Sequence, residues 1–507
     1  GIIRISHMSF LENILINYHD SDSDNDANVK QLLDIAKQMA FAGPSEDQQN
    51  EHCTAAEIAG AVGHFLLHHS PNKISVQNSD SVNLLLSFLE SVLMQIPPDA
   101  VTYWGESLRY MLNDYSRDEV LSYMVQKVED TLQVEEEGSG FSSQSKWLTL
   151  MSSVLIECNH PIQDSSAIMT RLLRQLLSTL HHPYEACRNG IASCLYRISC
   201  INRSSIKEII TAFHEKLDEG GAHHYIRLTL SRLLSYCVHC GDDKFDFTQI
   251  VIPLLPLAFK SLNVSNHEGN KGDVATASLD SDVTKSFRTI LASISHNSLL
   301  TFGDQHEIAT VLTALQDASQ ALTWQVRSIV AHFLRCFHNR HVFLISESNN
   351  TTATNIVTAL LADERREVSS AAMAALTGIL AVTSSQQVHK FVIKTIPIAN
   401  KYLPKRKSKK TPSALQLQKQ QTSVFSLCAA VLSRPYDTPA FVPLALEALS
   451  KHSFEKRAPG SVRDVVKKTF ADFKKTHVDN WELHKKRFTV EQLEALADVV
   501  STPHYYA

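Results

Sequence analysis

Glycine and proline are scarce here, with 16 of each in 507 residues. An all-β chain with many tight turns needs more of both, so that class is disfavoured. Unbroken apolar runs long enough to span a bilayer are missing, as is a signal-peptide pattern. The nine cysteines have no regular spacing, which fits a reducing compartment better than a disulfide framework. A net charge of -5 gives no reason to expect nucleic acid or an anionic membrane as a direct partner. No phosphate-binding loop, H-E-x-x-H or nucleophile elbow occurs, so no catalytic residue is assigned.

What is present is helical periodicity. Between Val82 and Ile96, Leu84, Leu85, Phe88, Leu89, Val92 and Leu93 recur at three- and four-residue steps. Residues 168–180, 226–236 and 250–262 read the same way. Three polar stretches lack the period and read as loops: 21–28, 134–143 and 263–282. Arg288, Arg327 and Arg365 are 39 and 38 residues apart, and each is followed three residues later by Leu291, Val330 or Val368. Arg188 and Arg463 carry the same pattern, with Ile191 and Val466. A period near 40, with Arg opening the second helix, marks HEAT-type hairpins, which bury their apolar faces only by stacking. The expected fold is all-α: a HEAT-repeat-like α-solenoid of stacked helical hairpins with an extended C-terminal tail.

Metal chemistry is not expected. Cys237-Val238-His239-Cys240 has half of a zinc spacing and no second half, so it reads as helix-end packing. Cys336, His338 and His341 fall on the last turns of an apolar helix, and His181-His182 carries no pattern. From Lys405 to Lys410, five of six residues are cations: Lys405, Arg406, Lys407, Lys409 and Lys410. This basic loop has three competing readings: a nuclear-import signal, an anion-binding loop and a solvated charge run.

The end of the chain is locally over-specified. Asp479 and Glu482 fit an N-cap and N3 pair for a short helix, and Thr489 and Gln492 fit a capping box. The next helix puts Leu493, Leu496 and Val500 on one face. Pro503 then stops the helix and favours an extended tail. That tail carries Tyr505, Tyr506 and the Ala507 carboxylate, ionised at neutral pH because its reference pKa is about 3.5. Peptide-binding pockets capture such a combination, although a frayed end has the same composition.

The stretch Thr469-Phe470, Lys475-Thr476-His477, Asp479-Asn480-Trp481, His484-Lys485, Phe488-Thr489, Gln492-Leu493, Leu496, Pro503 and Tyr505-Tyr506-Ala507 resembles the C-terminus of the large single-chain HEAT-repeat proteasome activators. Leu403-Pro404-Lys405 with its basic run, Cys428, Val431-Leu432-Ser433 and Pro435-Tyr436-Asp437 resemble the same family. The match covers roughly the last 150 residues. It implies a non-enzymatic, ATP-independent cap on the α-ring of the 20S proteasome core particle, present here as the C-terminal part of a longer activator. In that family the last three residues form a hydrophobic-Tyr-any motif that opens the gate, which assigns docking to Tyr505, Tyr506 and Ala507. The resemblance also implies a nuclear and cytoplasmic location, a role in DNA repair and histone degradation, and acetylated histones as partners. It requires no cofactor and suggests inositol phosphates as ligands of the basic loop. A bromodomain-like, acetyl-lysine-binding region should cover about 314–402. Where other members carry Asn-Phe, this chain has Thr383-Ser384, which lacks the aromatic wall, so an ordinary HEAT hairpin is the stronger reading there.

The expected organisation is a helical-repeat segment (1–282), HEAT repeats with the bromodomain-like region (283–402), the basic loop (403–414), C-terminal helices (415–500) and the docking tail (501–507). The alternatives are a generic HEAT-repeat scaffold or transport receptor with an incidental tail, and an unrecognised hydrolase.

Overall fold

The computed structural model describes residues 3–19, 25–41, 48–69, 79–113, 118–133, 140–157, 166–218, 223–240, 248–262, 274–297, 305–403, 412–454 and 459–500. Among them are 23 α-helices, two short 3-10 turns and no strand. No helix among the described residues is long and apolar enough to cross a membrane. The chain divides into two units, residues 1–250 and 251–507.

Each unit is built of antiparallel helix pairs in two layers. In the first unit one layer runs Ile5–His19, Gln48–His68, Val101–Met111, Gly140–Glu157, Glu185–Ile201 and His224–His239, each packed on the next. The helices between them form the second layer. In the second unit the sequence Val274–His296, Trp324–Arg340, Arg366–Val382, Ala414–Leu432 and Gly460–Thr476 repeats this plan. Neither layer could stay in water alone, because each helix keeps its apolar stripe dry only through its neighbours. The expected all-α repeat fold is what forms. Close approach is built in by small residues: a Cβ at Gly190 would lie 2.6 Å from Leu148 Cβ on the neighbouring helix.

Helix starts carry the local signals. Ser346 and Ser384 accept from backbone N–H groups three residues on, and Ser413 with Gln416 forms a full capping box. Three loop assignments shorten. Asn25–Asn28 already belongs to the helix Asn25–Ala40, Gly140–Ser143 to Gly140–Glu157, and 274–282 to Val274–His296. Three of the four residues Asn25–Asn28 are polar, so apolar periodicity does not reveal that turn.

The repeated arginine is partly corrected. Arg188, Arg327 and Arg463 each occupy the fourth position of a helix, but Arg365 stands at an N-cap and Arg288 lies deep inside Val274–His296. The Arg-x-x-apolar spacing fits any helical turn, so it cannot by itself mark a start. Where the position is right the device recurs. Arg188 Nη1 donates to the carbonyls of His182 and Pro183, six and five residues back. Arg327 Nη1 does the same to Ala321 at 2.8 Å and Leu322 at 2.9 Å. Each guanidinium thus fastens the turn between the paired helices, where carbonyls lack helical partners. Arg327 also reaches the next repeat: Nε and Nη2 donate to Asp363 Oδ2 and Oδ1, the latter at 3.1 Å.

Histidines are unusually deep in the second unit. His338, His341 and His452 are buried, and burial pushes the last two down to about 4. Lys451 lowers His452 further, and Arg340 lowers His341 further. A histidine whose folded pKa lies below its unfolded value of about 6.5 leaves the unfolded chain binding more protons between the two. Its stabilising effect is therefore whole above pH 6.5 and is lost as pH falls toward 4. For His452 this amounts to roughly 2–3 kcal/mol at pH 4.5. Urea unfolding at pH 7 and 4.5 should show His452→Gln losing less stability on acidification than wild type by about that amount. Equal losses would mean that the imidazole is not buried in its neutral form.

Candidate functional site

The C-terminal end of the second unit gathers residues far apart in sequence. After Ala414–Leu432 the chain turns through Ser433 to Asp437, with Tyr436 at φ 69°. A left-handed, non-glycine residue costs about 1–2 kcal/mol, so its surroundings must hold it. They do so through the next residues. Asp437 Oδ1 accepts from Thr438 N–H at 2.7 Å, and the Thr438 carbonyl accepts from Arg487 Nη1 at 2.7 Å. His484 Nδ1 lies 2.7 Å from Thr438 Oγ1, and His477 Nε2 lies 3.1 Å from the Asp437 carbonyl. His477 in turn stacks on Phe473 with centroids 4.0 Å apart and meets His484 edge-on at 4.6 Å. The 435–437 turn and the 477–487 segment therefore lock each other.

Over this lock stands the last helix, Val490–Val500. Its capping box is present: Thr489 N–H donates to Gln492 Oε1 at 3.1 Å, and Gln492 N–H to Thr489 Oγ1 at 3.3 Å. Gln492 Nε2 donates to Glu447 Oε2 at 3.2 Å, tying the helix to Phe441–Phe454. Leu496 is buried and Leu493 half-buried, as one apolar face requires, whereas the Val500 side chain lies outside the described residues. Leu493 and Leu496 also wall an apolar pocket of about 330 Å³ with Phe473, His477, Val478 and Trp481. The expected Asp479 cap is not formed. The short helix is Trp481–His484 with Asn480 at its N-cap and no side-chain cap, and Glu482 pairs with Lys485 at 2.6 Å. The helix starts one residue later than that cap requires, which moves Glu482 from its third position to its second.

The docking residues Tyr505, Tyr506 and Ala507 lie outside the described residues, as do Lys405, Arg406, Lys407, Lys409 and Lys410. Beside that loop, Tyr402 has the Lys401 and Lys419 ammonium groups 5.6 and 5.7 Å from its ring centroid. Thr383 and Ser384 form the turn between Arg366–Val382 and Ser385–Lys401. Thr383 Oγ1 donates to the Ile379 carbonyl at 2.8 Å, its carbonyl accepts from Arg434 Nη2 at 2.6 Å, and Ser384 caps the next helix. Both hydroxyls thus serve the hairpin. A groove of about 940 Å³ opens elsewhere in this unit, lined by Arg288, Trp324, His332, Arg335, Asn339 and Arg340 among others, with no carboxylate. Such a lining suits an anion better than a neutral acetyl group.

Cys237 is buried within its helix, Cys240 stands at the C-cap, and the Cys240 carbonyl accepts from Tyr196 Oη at 3.0 Å. One cluster with metal-ligand chemistry went unread in the sequence: Glu12, His64 and His69 in the first unit. The signal available there is His64 with His68-His69 at the end of one helix, but Glu12 lies 52 residues before His64.

Residues 417–507 match a family model described as proteasome activator complex subunit 4-like, C-terminal. Over those residues the chain is similar to the C-terminal part of that family. Over 265 residues it is 33% identical to human proteasome activator complex subunit 4, an alignment covering 50% of this chain and 13% of that protein. The Arabidopsis thaliana proteasome activator subunit 4 is 31% identical over 203 residues, covering 40% and 11%. Saccharomyces cerevisiae proteasome activator BLM10 is 23% identical over 209 residues, covering 40% and 9%. Among solved structures, Kap121p superposes with a TM-score of 0.39 at 10% identity over 98% of this chain and 52% of that one. That likeness is too distant to bear on function. In the family match, the locked turn, the capped last helix and the tail all fall within residues 417–507.

Proposed function

We propose that this chain is the C-terminal part of a non-enzymatic, ATP-independent activator that caps the 20S proteasome core particle and opens its gate with residues 501–507. The observation that carries the proposal is the family match, which runs through the final residue and so includes Tyr505-Tyr506-Ala507. The physical chemistry supports it. A terminal carboxylate can make a charge-assisted bond to a pocket lysine, and two rings add burial. The gate opens if this tail binds the open α-ring more tightly than the closed one. A capped and packed last helix lowers the entropy cost of presenting the tail. On the same reading the activator works in nucleus and cytoplasm on histones and in DNA repair. Preference for acetylated tails should be weak, because Thr383 and Ser384 hold a hairpin together.

The test of association is native electrophoresis of the full-length protein with purified core particle, without nucleotide. Slower-migrating capped core particles are expected. Failure to shift the core at micromolar concentrations would favour a scaffold with an incidental tail.

The basic loop is proposed to bind inositol phosphates, since several cations on one loop suit a polyphosphate. Changing Lys405, Arg406, Lys407, Lys409 and Lys410 together to Gln should weaken inositol hexakisphosphate binding in calorimetry, most at low salt. Unchanged affinity would leave the loop as an import signal or a solvated charge run.

A further inference from the structure

The first unit carries a second kind of site. Its opening helix, Ile5–His19, lies against Gln48–His68, and the approach is close: a Cβ at Gly60 would lie 2.6 Å from Met8 Sδ. The contact brings Glu12, buried at 7% exposure, against the C-terminal end of the second helix. Glu12 Oε1 sits 2.6 Å from His64 Nδ1 and 3.3 Å from His69 Nε2. The three donor atoms all lie within 4.8 Å of one another. The other carboxylate oxygen, Oε2, accepts from Tyr110 Oη at 2.6 Å, from the helix Val101–Met111. His64 is flanked by the stacked ring of His68 at 4.0 Å and by Tyr110 at 5.1 Å.

We propose that Glu12, His64 and His69 bind a zinc ion. Two imidazole nitrogens and one carboxylate oxygen form a known zinc donor set that leaves a fourth position for water. Tetrahedral bonds of about 2.0–2.1 Å place donor atoms about 3.3 Å apart. The His69–Glu12 separation already has that value, and the His64–Glu12 pair would open from 2.6 Å, with all three donor atoms starting within 4.8 Å of one another. That short pair holds a proton where the metal would sit. Zinc takes that place when His64 carries its hydrogen on Nε2 and offers the Nδ1 lone pair, as a metal-bound neutral imidazole does. Tyr110 supplies what a bare cluster lacks: it fixes Oε2 and so aims Oε1 at the histidines, the outer-sphere role that tunes metal affinity. No cysteine lies in the set, so a soft monovalent ion is disfavoured, while imidazole with carboxylate suits zinc. His69, with 41% of its side chain exposed, leaves the entry path open. The ion would clamp the opening helix to its neighbour and stabilise the folded form by mass action.

The experiment uses the whole chain, stripped with EDTA and titrated with zinc chloride against a chromophoric chelator. The 24 histidines and nine cysteines bind zinc weakly elsewhere, so the readout is the difference between proteins. Wild type should bind one equivalent more than His69→Gln, or bind it at least tenfold more tightly. Tyr110→Phe should weaken that equivalent roughly tenfold without removing it. Zinc should raise the thermal midpoint of wild type and leave that of His69→Gln unmoved. His69 is exposed at a helix end, so this variant keeps the fold, which circular dichroism checks. Equal stoichiometry and affinity in wild type and His69→Gln would overturn the proposal and leave the cluster as a hydrogen-bonded network.

Discussion

Replacing Arg327 with alanine should speed amide hydrogen exchange in the helices Trp324–Arg340 and Arg366–Val382 by about 100-fold. The guanidinium has four partners: both oxygens of Asp363 and the carbonyls of Ala321 and Leu322. Asp363 keeps only 7% of its side chain exposed and Arg327 20%. Removing one partner of a buried pair costs roughly 3–5 kcal/mol, because the other charge is left without compensation. Residual exposure of the arginine argues for the low end, about 3 kcal/mol, which corresponds to the 100-fold change. Asp363 also accepts from the Arg365 N–H, and its carbonyl takes a bond from Gln421, so the loss should reach the next repeat. Stability in a repeat array is local plus nearest-neighbour, so helices of the first unit should keep their protection. A double-mutant cycle with Asp363→Ala isolates the pair. Additive effects in that cycle, or exchange rates within a few-fold of wild type, would show that the bridge is not what joins these repeats.

The second large effect concerns the last residue. Deleting Ala507 does not remove a charge; it moves the carboxylate onto Tyr506 and shifts both rings by one position. Adding residues after Ala507 places the charge elsewhere. Either change should abolish gate opening and leave the fold intact, because the tail follows the last packed helix, which ends at Val500. Tyr506→Phe should be milder, since it loses only a hydroxyl bond worth about 0.5–1.5 kcal/mol. Association should fall less than activity in every variant, because other contacts of a large cap would keep the tail at high effective concentration.

How much of this was legible in sequence follows from the range of the interactions. The helices and the Thr489–Gln492 box are local, and local rules read them. The Arg–carbonyl device at Arg188 and Arg327 was half legible: its spacing was visible, but Arg288 shares the spacing from mid-helix. The lock between 435–437 and 477–487 was seen only as scattered residues resembling a family. Its geometry needs the hairpins to be stacked first, since His477 and Asp437 are 40 residues apart. The Glu12–His64–His69 cluster was missed for the same reason. Two helices must meet before a carboxylate and two imidazoles become one site. Asp479 shows the opposite error, a sound capping signal placed one residue ahead of where the helix allows it.

The central claim is that the chain's end opens the proteasome gate, and one measurement tests it most directly. Purified 20S core particle is given a small fluorogenic peptide without nucleotide. To it is added the full-length protein as wild type, with Ala507 deleted, or with a short C-terminal extension. The account predicts faster hydrolysis with wild type and the basal rate with both altered ends, although all three proteins remain folded. Equal stimulation by all three, or none by wild type, would contradict it.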